Sequence, residues 1–205
     1  IYQLDTGVID NLTEFGGRAS RGPDFIVPST QSRDCNSHGT RVAALAIGTT
    51  YGVAKGASLV ALRTVPCAGD GGGWDPVLQA IEWIVDSGVT PAVVNMSLVG
   101  NHSGTVDLAV TNAIAAGFVF VVAAGNDGQD RCTSRSPTNV QAAIVVASST
   151  QVDGRTSISN FGSCVDIFAP GEGVKSIDTL GAEVTALGGT SVAAPHVSGA
   201  SAMYL

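Results

Sequence analysis

Charge is scarce in this chain of 205 residues: only 13% of it is Asp, Glu, Lys or Arg, and aromatics make up 5%. The 10 basic residues are scattered and outnumbered by 17 acidic ones, for a net charge of −7. Without a basic patch or stripe, the chain lacks the surface that nucleic acid or an anionic membrane would require. Long hydrophobic runs are missing too. The longest apolar run broken only by a glycine, Ala113 to Gly125, falls short of the roughly 18 residues of a membrane-spanning helix. There is no internal repeat and no low-complexity segment. Gly69-Asp70-Gly71-Gly72-Gly73 is not followed by a lysine and Ser/Thr, which rules out a phosphate-cradling loop and leaves a mobile surface loop as the expectation. Asp-Thr-Gly occurs once, at residues 5–7, and the one Asp-Ser-Gly, at residues 86–88, falls in a helix pattern that Gly88 closes, which weighs against the paired carboxylates of an aspartic protease.

Cysteine is sparse but even in number: four, at positions 35, 67, 132 and 164, with no C-x-x-C spacing. That favours structural disulfides in an oxidising compartment over a zinc site, a redox motif or four buried thiols. The separations leave all three pairings open.

What the chain has in quantity is small and aliphatic residues: 44% is hydrophobic and 26 residues are glycine. This suits one domain over residues 1–205, tightly packed. Ile1 to Leu4 starts inside a strand pattern and Ala202 to Leu205 stops inside a helix pattern, so the domain reads as cropped at both ends. Strands are expected at Ser58–Val65, Ala92–Leu98, Phe118–Ala124, Ala142–Ser148 and Val165–Ala169. Helices are expected from Asp75-Pro76 to Gly88, with Val77, Ile81, Ile84 and Val85 on the apolar face, and at Val106–Ala116. Strands apolar on both faces and joined by amphipathic helices predict an α/β fold: three layers, α/β/α, around a mainly parallel central sheet. Functional residues of such folds gather at the carboxyl ends of strands, where Asp5, Ser97 and Asn126 stand.

Three segments carry chemistry. Asp5-Thr6-Gly7 puts a carboxylate at the tip of the first strand. His38-Gly39-Thr40 puts an imidazole at the first turn of a buried helix, where the helix dipole favours the neutral base. Gly189-Thr190-Ser191-Val192-Ala193-Ala194-Pro195-His196 starts a helix of small residues with a serine at its tip, Pro195 being tolerated as a first-turn residue. A serine attacks a carbonyl only when a base takes its proton, and an imidazole does so best when a carboxylate orients it. Alone, Asp5 reads as a turn residue, His38 as a cap-region histidine and Ser191 as a helix cap; the ordered set points to a nucleophile, a base and an orienter. Asn126, ending Ala123-Ala124-Gly125-Asn126, adds an amide at another strand end. His102 reads as solvated, and His196 lies too close along its helix to serve Ser191.

These motifs resemble the subtilisin-like serine proteases (subtilases, peptidase S8), and most nearly the proteinase K-like branch. The likeness extends through Tyr51-Gly52-Val53-Ala54-Lys55-Gly56, Phe161-Gly162 and Ala169-Pro170-Gly171. It implies a serine endopeptidase acting through an acyl-enzyme, with Asp5, His38 and Ser191 as triad and Asn126 as oxyanion donor. It implies substrate-binding walls from Ser97, Leu98, Val99 and Gly100 and from Ala124 and Gly125, and disulfides Cys35–Cys67 and Cys132–Cys164. The resemblance further implies protein or peptide substrates, secretion, a monomer, and an N-terminal propeptide acting as intramolecular chaperone and inhibitor. No cofactor is expected for the chemistry; calcium binding stays open, because Thr150 stands where that branch often has a calcium-binding aspartate. Val99 replaces a usual glycine, and Arg41 and Ala44 replace a usual histidine and glycine. Arg41 is expected to lower the His38 pKa, and Val99 to narrow the pocket for the residue preceding the scissile bond (P1). The alternatives are a catalytically silent scaffold that binds a partner protein, and an esterase or peptide ligase using the same acyl-enzyme.

Overall fold

The computed structural model describes residues 1–69, 72–185 and 188–205; Asp70 and Gly71 of the glycine-rich loop lie outside the described residues. In chain order the elements are β1 (Tyr2–Asp5), β2 (Ala19–Asp24), α1 (His38–Ile47), β3 (Leu59–Arg63), α2 (Asp75–Ser87), β4 (Ala92–Met96), β5 (Gly100–Asn101), α3 (Gly104–Ala115), β6 (Phe118–Ala123), β7 (Arg135–Ser136), β8 (Ile144–Ser149), β9 (Ile167–Pro170), β10 (Lys175–Ile177), β11 (Glu183–Thr185) and α4 (Thr190–Tyr204). Seven strands form one sheet in the order β2-β3-β1-β4-β6-β8-β9, and every neighbouring pair is parallel.

The central strands are apolar on both faces because both faces are covered. Phe118, Phe120 and Val122 of β6 point to the layer that holds α2 and α3. Val121 and Ala123 point the opposite way and pack on Ala193 and Ala194 of α4, while Ala43, Ala46 and Ile47 of α1 pack beside them on β3. The fold is therefore the expected three-layer α/β/α arrangement. Phe120, wholly buried, illustrates the stakes. Truncating such a side chain costs about 3–5 kcal/mol, a large part of a domain's margin of about 5–15 kcal/mol.

The helix α2 starts with Pro76 in its first turn and ends at Gly88, whose N–H bonds to the Ile84 carbonyl. Its buried stripe is Val77, Ala80, Ile81 and Ile84; Val85, expected on that face, lies at its edge and is 42% exposed. The expected strands all form, shortened by a residue or more at most ends. The edge strand β2 was not expected. Its sequence, Ala-Ser-Arg-Gly-Pro-Asp, has no apolar alternation, and Pro23 is acceptable because β2 pairs on one side only.

Two disulfides are present, Cys35–Cys67 and Cys132–Cys164, each spanning 32 residues. Closing loops of that length stabilises a fold by roughly 3–4 kcal/mol, chiefly by restricting the unfolded chain. The first ties the segment before α1 to the loop after β3. Among the described residues, no helix is long and apolar enough to cross a membrane.

Candidate active site

Parallel strands bring their carboxyl ends to one edge of the sheet. Because β1, β4 and β6 are neighbours, Asp5, the segment from Ser97, and Ala124-Gly125-Asn126 emerge side by side. His38 and Thr190 are the first residues of α1 and α4.

Asp5 is 2% exposed, and its Oδ1 lies 2.7 Å from His38 Nδ1 while accepting the Thr6 N–H at 2.7 Å. Glycines make this approach feasible. A Cβ added to Gly39 would sit 2.1 Å from the Gly7 carbonyl oxygen, and Gly7 itself has φ +106°. A side chain at Gly39 would push the start of α1 away from the tip of β1, and one at Gly7 would run into the Ser32 carbonyl oxygen, 2.2 Å from its Cβ. The His38 ring keeps one side open, 39% exposed. Its pKa is raised: the Asp5 charge is the main cause, working against burial, and Asp34 adds to it while Arg41 opposes. The sequence expectation of a lowered pKa is thus corrected. Arg41 acts in the expected direction, but the carboxylates outweigh it.

Ser191 and Ser97 are locked to each other. Ser191 Oγ donates to the Ser97 carbonyl at 3.0 Å, and Ser97 Oγ donates to the Ser191 carbonyl at 2.9 Å. Pro195 explains the second bond. It is the sixth residue of α4, not a first-turn residue as expected from sequence, and it lacks the N–H that would normally take the carbonyl four residues earlier. That carbonyl belongs to Ser191, and the Ser97 hydroxyl fills the gap. Behind it, Asn95 Nδ2 donates to Ser97 Oγ at 3.0 Å and Ser198 Oγ donates to Asn95 Oδ1 at 2.7 Å. Ser191, His38, Asp5 and Ser97 line one cleft of about 260 Å³. The Ser191 hydroxyl bonds to Ser97 rather than to His38, and nucleophile–base bonds commonly tighten only when substrate is bound.

The Asn126 amide has a fixed sense. Its Oδ1 accepts from Thr190 N at 2.9 Å and Thr190 Oγ1 at 3.0 Å, while Thr190 Oγ1 accepts from Gly125 N at 3.0 Å. Only an oxygen can receive the Thr190 N–H, so Nδ2 is the atom left for another acceptor. Gly189, at φ +103°, permits the packing: a Cβ there would lie 2.9 Å from Asn126 Oδ1.

The matching family profile, the subtilase family (peptidase S8), spans residues 4–205. The chain belongs to the subtilase family. It is similar to an extracellular serine proteinase of Thermus sp. (strain Rt41A), 47% identical over 205 residues, covering 100% of this chain and 50% of that protein. It is likewise 44% identical to the alkaline serine exoprotease A of Vibrio alginolyticus, over 100% of this chain and 38% of that one. A solved structure of a cold-adapted subtilisin-like serine proteinase superposes with a TM-score of 0.95 at 45% identity, covering 100% of this chain and 74% of that chain. This subtilase chain spans about half the length, or less, of these two curated relatives.

In this subtilase, Leu98 and Val99 border both the cleft and an adjoining cavity of about 430 Å³ walled by Thr64, Trp74 and Val77, while Gly100 borders that cavity and not the cleft. The Val99 side chain reaches across to Gly125: a Cβ on that glycine would lie 3.1 Å from Val99 Cγ1. Ala124 is 3% exposed and borders neither space. Its carbonyl accepts Asn160 Nδ2 at 2.9 Å.

Asn160, missed in the sequence, fastens the whole turn that presents Asn126. Besides Ala124 it bonds Gly125 O, Asp127 N and Gln129 N. Asp34 was also missed. An Asp just upstream of a helix start is a capping signal that would have marked it.

His196 Nδ1 is committed to the Val192 carbonyl at 2.9 Å, and burial lowers its pKa. His102 is exposed beside Asp107. Thr150 does not fit a calcium ligand. Its Oγ1 is neutral and accepts the N–H groups of Val152 and Gly154, whereas calcium draws several carboxylate and carbonyl oxygens. Among the described residues, no group of three or more His, Cys, Asp or Glu could hold a metal.

Proposed function

We propose that this subtilase is a secreted serine endopeptidase in which Ser191 is the nucleophile, His38 the general base, Asp5 the orienter and Asn126 an oxyanion donor. The observation that carries the reading is the 2.7 Å Asp5–His38 pair opening onto the same cleft as Ser191. With Nδ1 held by Asp5, the opposite ring nitrogen of His38 faces the reaction. Ser191 Oγ attacks the peptide carbonyl carbon as its proton passes to His38 Nε2. The carbonyl oxygen becomes an oxyanion, met by Asn126 Nδ2 and the Ser191 N–H. His38 then hands the proton to the leaving amine nitrogen, the C–N bond breaks, and an acyl-enzyme remains. Water, deprotonated by His38, repeats the sequence in reverse and frees the acid and Ser191.

Backbone groups of residues 97–100 pair with an extended substrate, which supports protein and peptide substrates. The two disulfides and the relatives described as extracellular and as an exoprotease support secretion. The family likeness supports synthesis with an inhibitory propeptide, and one domain acting as a monomer.

Labelling with a fluorophosphonate followed by a casein assay tests the reading. Labelling with proteolysis is expected; labelling without it favours an esterase or ligase, and no labelling of processed protein favours a silent scaffold. Val99 narrows the P1 pocket, so the enzyme is expected to cleave after Ala or Leu in preference to Phe. Val99→Gly is expected to raise kcat/KM for a Phe substrate by about tenfold relative to Ala, the scale on which a few methylene contacts discriminate. A wild-type preference for Phe contradicts the assignment.

A further inference from the structure

A second buried carboxylate stands behind the reacting residues and takes no part in the steps above. We propose that Asp34 is a positioning residue for the catalytic pair, holding the tip of β1 and the start of α1 at the spacing that Asp5 and His38 require. The inference rests on the serine endopeptidase reading.

Asp34 is 4% exposed and pairs with no cation among the described residues. Its acceptors are instead filled by five donors. Oδ1 accepts from Thr6 Oγ1 at 2.9 Å, Asn36 N at 2.9 Å and Ser37 N at 3.0 Å. Oδ2 accepts from Thr40 N at 2.9 Å and Thr40 Oγ1 at 2.5 Å. These donors belong to the two segments that must meet. Thr6 is the link: its N–H holds the Asp5 carboxylate, and its hydroxyl donates to Asp34 while accepting the Gly39 N–H at 2.9 Å.

Asp34 also replaces a missing helix cap. Ser37 precedes α1 at φ +84°, a left-handed conformation that serine seldom adopts, and its side chain makes no capping bond. The Asp34 carboxylate takes the N–H of Ser37 and of Thr40, on either side of His38, and so fixes the turn from which the imidazole projects. The Cys35–Cys67 disulfide and the Asn36 Nδ2 bond to the Cys67 carbonyl anchor the same segment from the other side.

The His38 imidazole feels Asp5 first, then Asp34, with Arg41 of its own helix opposing. Among the described residues that line the cleft, only Asp5 and His38 ionise. Neutralising Asp34 therefore removes one of two negative charges that favour the protonated ring.

The test is steady-state kinetics of wild type, Asp34→Asn, Thr6→Val and Thr6→Ser on one peptide substrate, per site titrated with fluorophosphonate. For Asp34→Asn, kcat is expected to fall about 10- to 100-fold with KM changed less than about threefold, as for sub-ångström misplacement of reacting groups. The acid limb of kcat/KM is expected to move to lower pH, because the Asp34 charge favours the protonated ring. Thr6→Val is expected to lower kcat about tenfold without moving that limb, and Thr6→Ser to restore it. An Asp34→Asn variant with a lower Tm but wild-type kcat and pH profile overturns the proposal. If that variant does not fold, Thr6→Val at wild-type kcat does so. A wild type that neither labels nor cleaves overturns the endopeptidase reading and this inference together; an active wild type with unaltered variants overturns this inference alone.

Discussion

Replacing His38 with alanine is expected to lower kcat for a peptide substrate by about 10⁶-fold, the scale on which a serine triad loses its base. The reason is the lack of a substitute. Ser191 Oγ–H is held by the Ser97 carbonyl, which accepts a hydrogen bond but takes no proton. His196 is bound to the Val192 carbonyl, and His102 stands on the surface beside α3. The fold is expected to survive, because the ring is 39% exposed and, among the described residues, its one side-chain hydrogen-bond partner is Asp5. Asn126 and the binding walls remain, so about 10³- to 10⁴-fold acceleration over the uncatalysed reaction should persist. The check is kcat on a chromogenic peptide with far-UV circular dichroism of the same sample. A folded variant that loses less than about a hundredfold contradicts the assignment of His38 as base.

Asp5→Ala is expected to cost about 10⁴-fold in kcat. Alanine leaves Thr6 N–H without its acceptor, frees the imidazole to rotate, and removes the charge that stabilises the imidazolium in the transition state. The pH dependence has a definite sign. In the wild type the Asp5 charge raises the His38 pKa against burial, so the acid limb of kcat/KM lies above that of an ordinary imidazole. Without Asp5, burial acts with less opposition and the limb is expected to move to lower pH. Linkage gives a matching stability test. A raised folded-state pKa contributes stability that is complete below the unfolded value of about 6.5 and is lost as pH rises through the folded value. On a Ser191→Ala background, which prevents self-digestion, the Tm gap between Asp5 and Asp5→Ala proteins is expected to be wider near about pH 6 than near about pH 9. An equal gap at both contradicts the charge pairing.

Much of the architecture is legible because the sheet is covered on both faces. Phe118 to Ala123 is apolar at every position, which an exposed strand would not be, and the alternation of its side chains between two helix layers follows. Short or one-sided elements are less legible. β2 pairs with one neighbour and carries Arg21, Gly22 and Pro23, and the β10–β11 hairpin pairs three residues with three. The motifs mark which segments converge, and the glycines of Asp-Thr-Gly and His-Gly-Thr acquire a reason once Gly39 is seen against Gly7. The supporting residues left little trace. Asn160 acts through hydrogen bonds to a turn distant in sequence, which no local pattern encodes; Asp34 stands where a capping signal could mark it, but its bond to Thr6, 28 residues away, has no local trace. Pro195 illustrates the same limit: its effect is felt at Ser191 and met by Ser97, 94 residues away.

The most direct test of the serine-nucleophile account is to treat the protein with a fluorophosphonate, digest it and locate the adduct by mass spectrometry. The account predicts one adduct, on Ser191, and its loss in His38→Ala on the same timescale. An adduct on another residue, or none on protein that cleaves peptides, contradicts it.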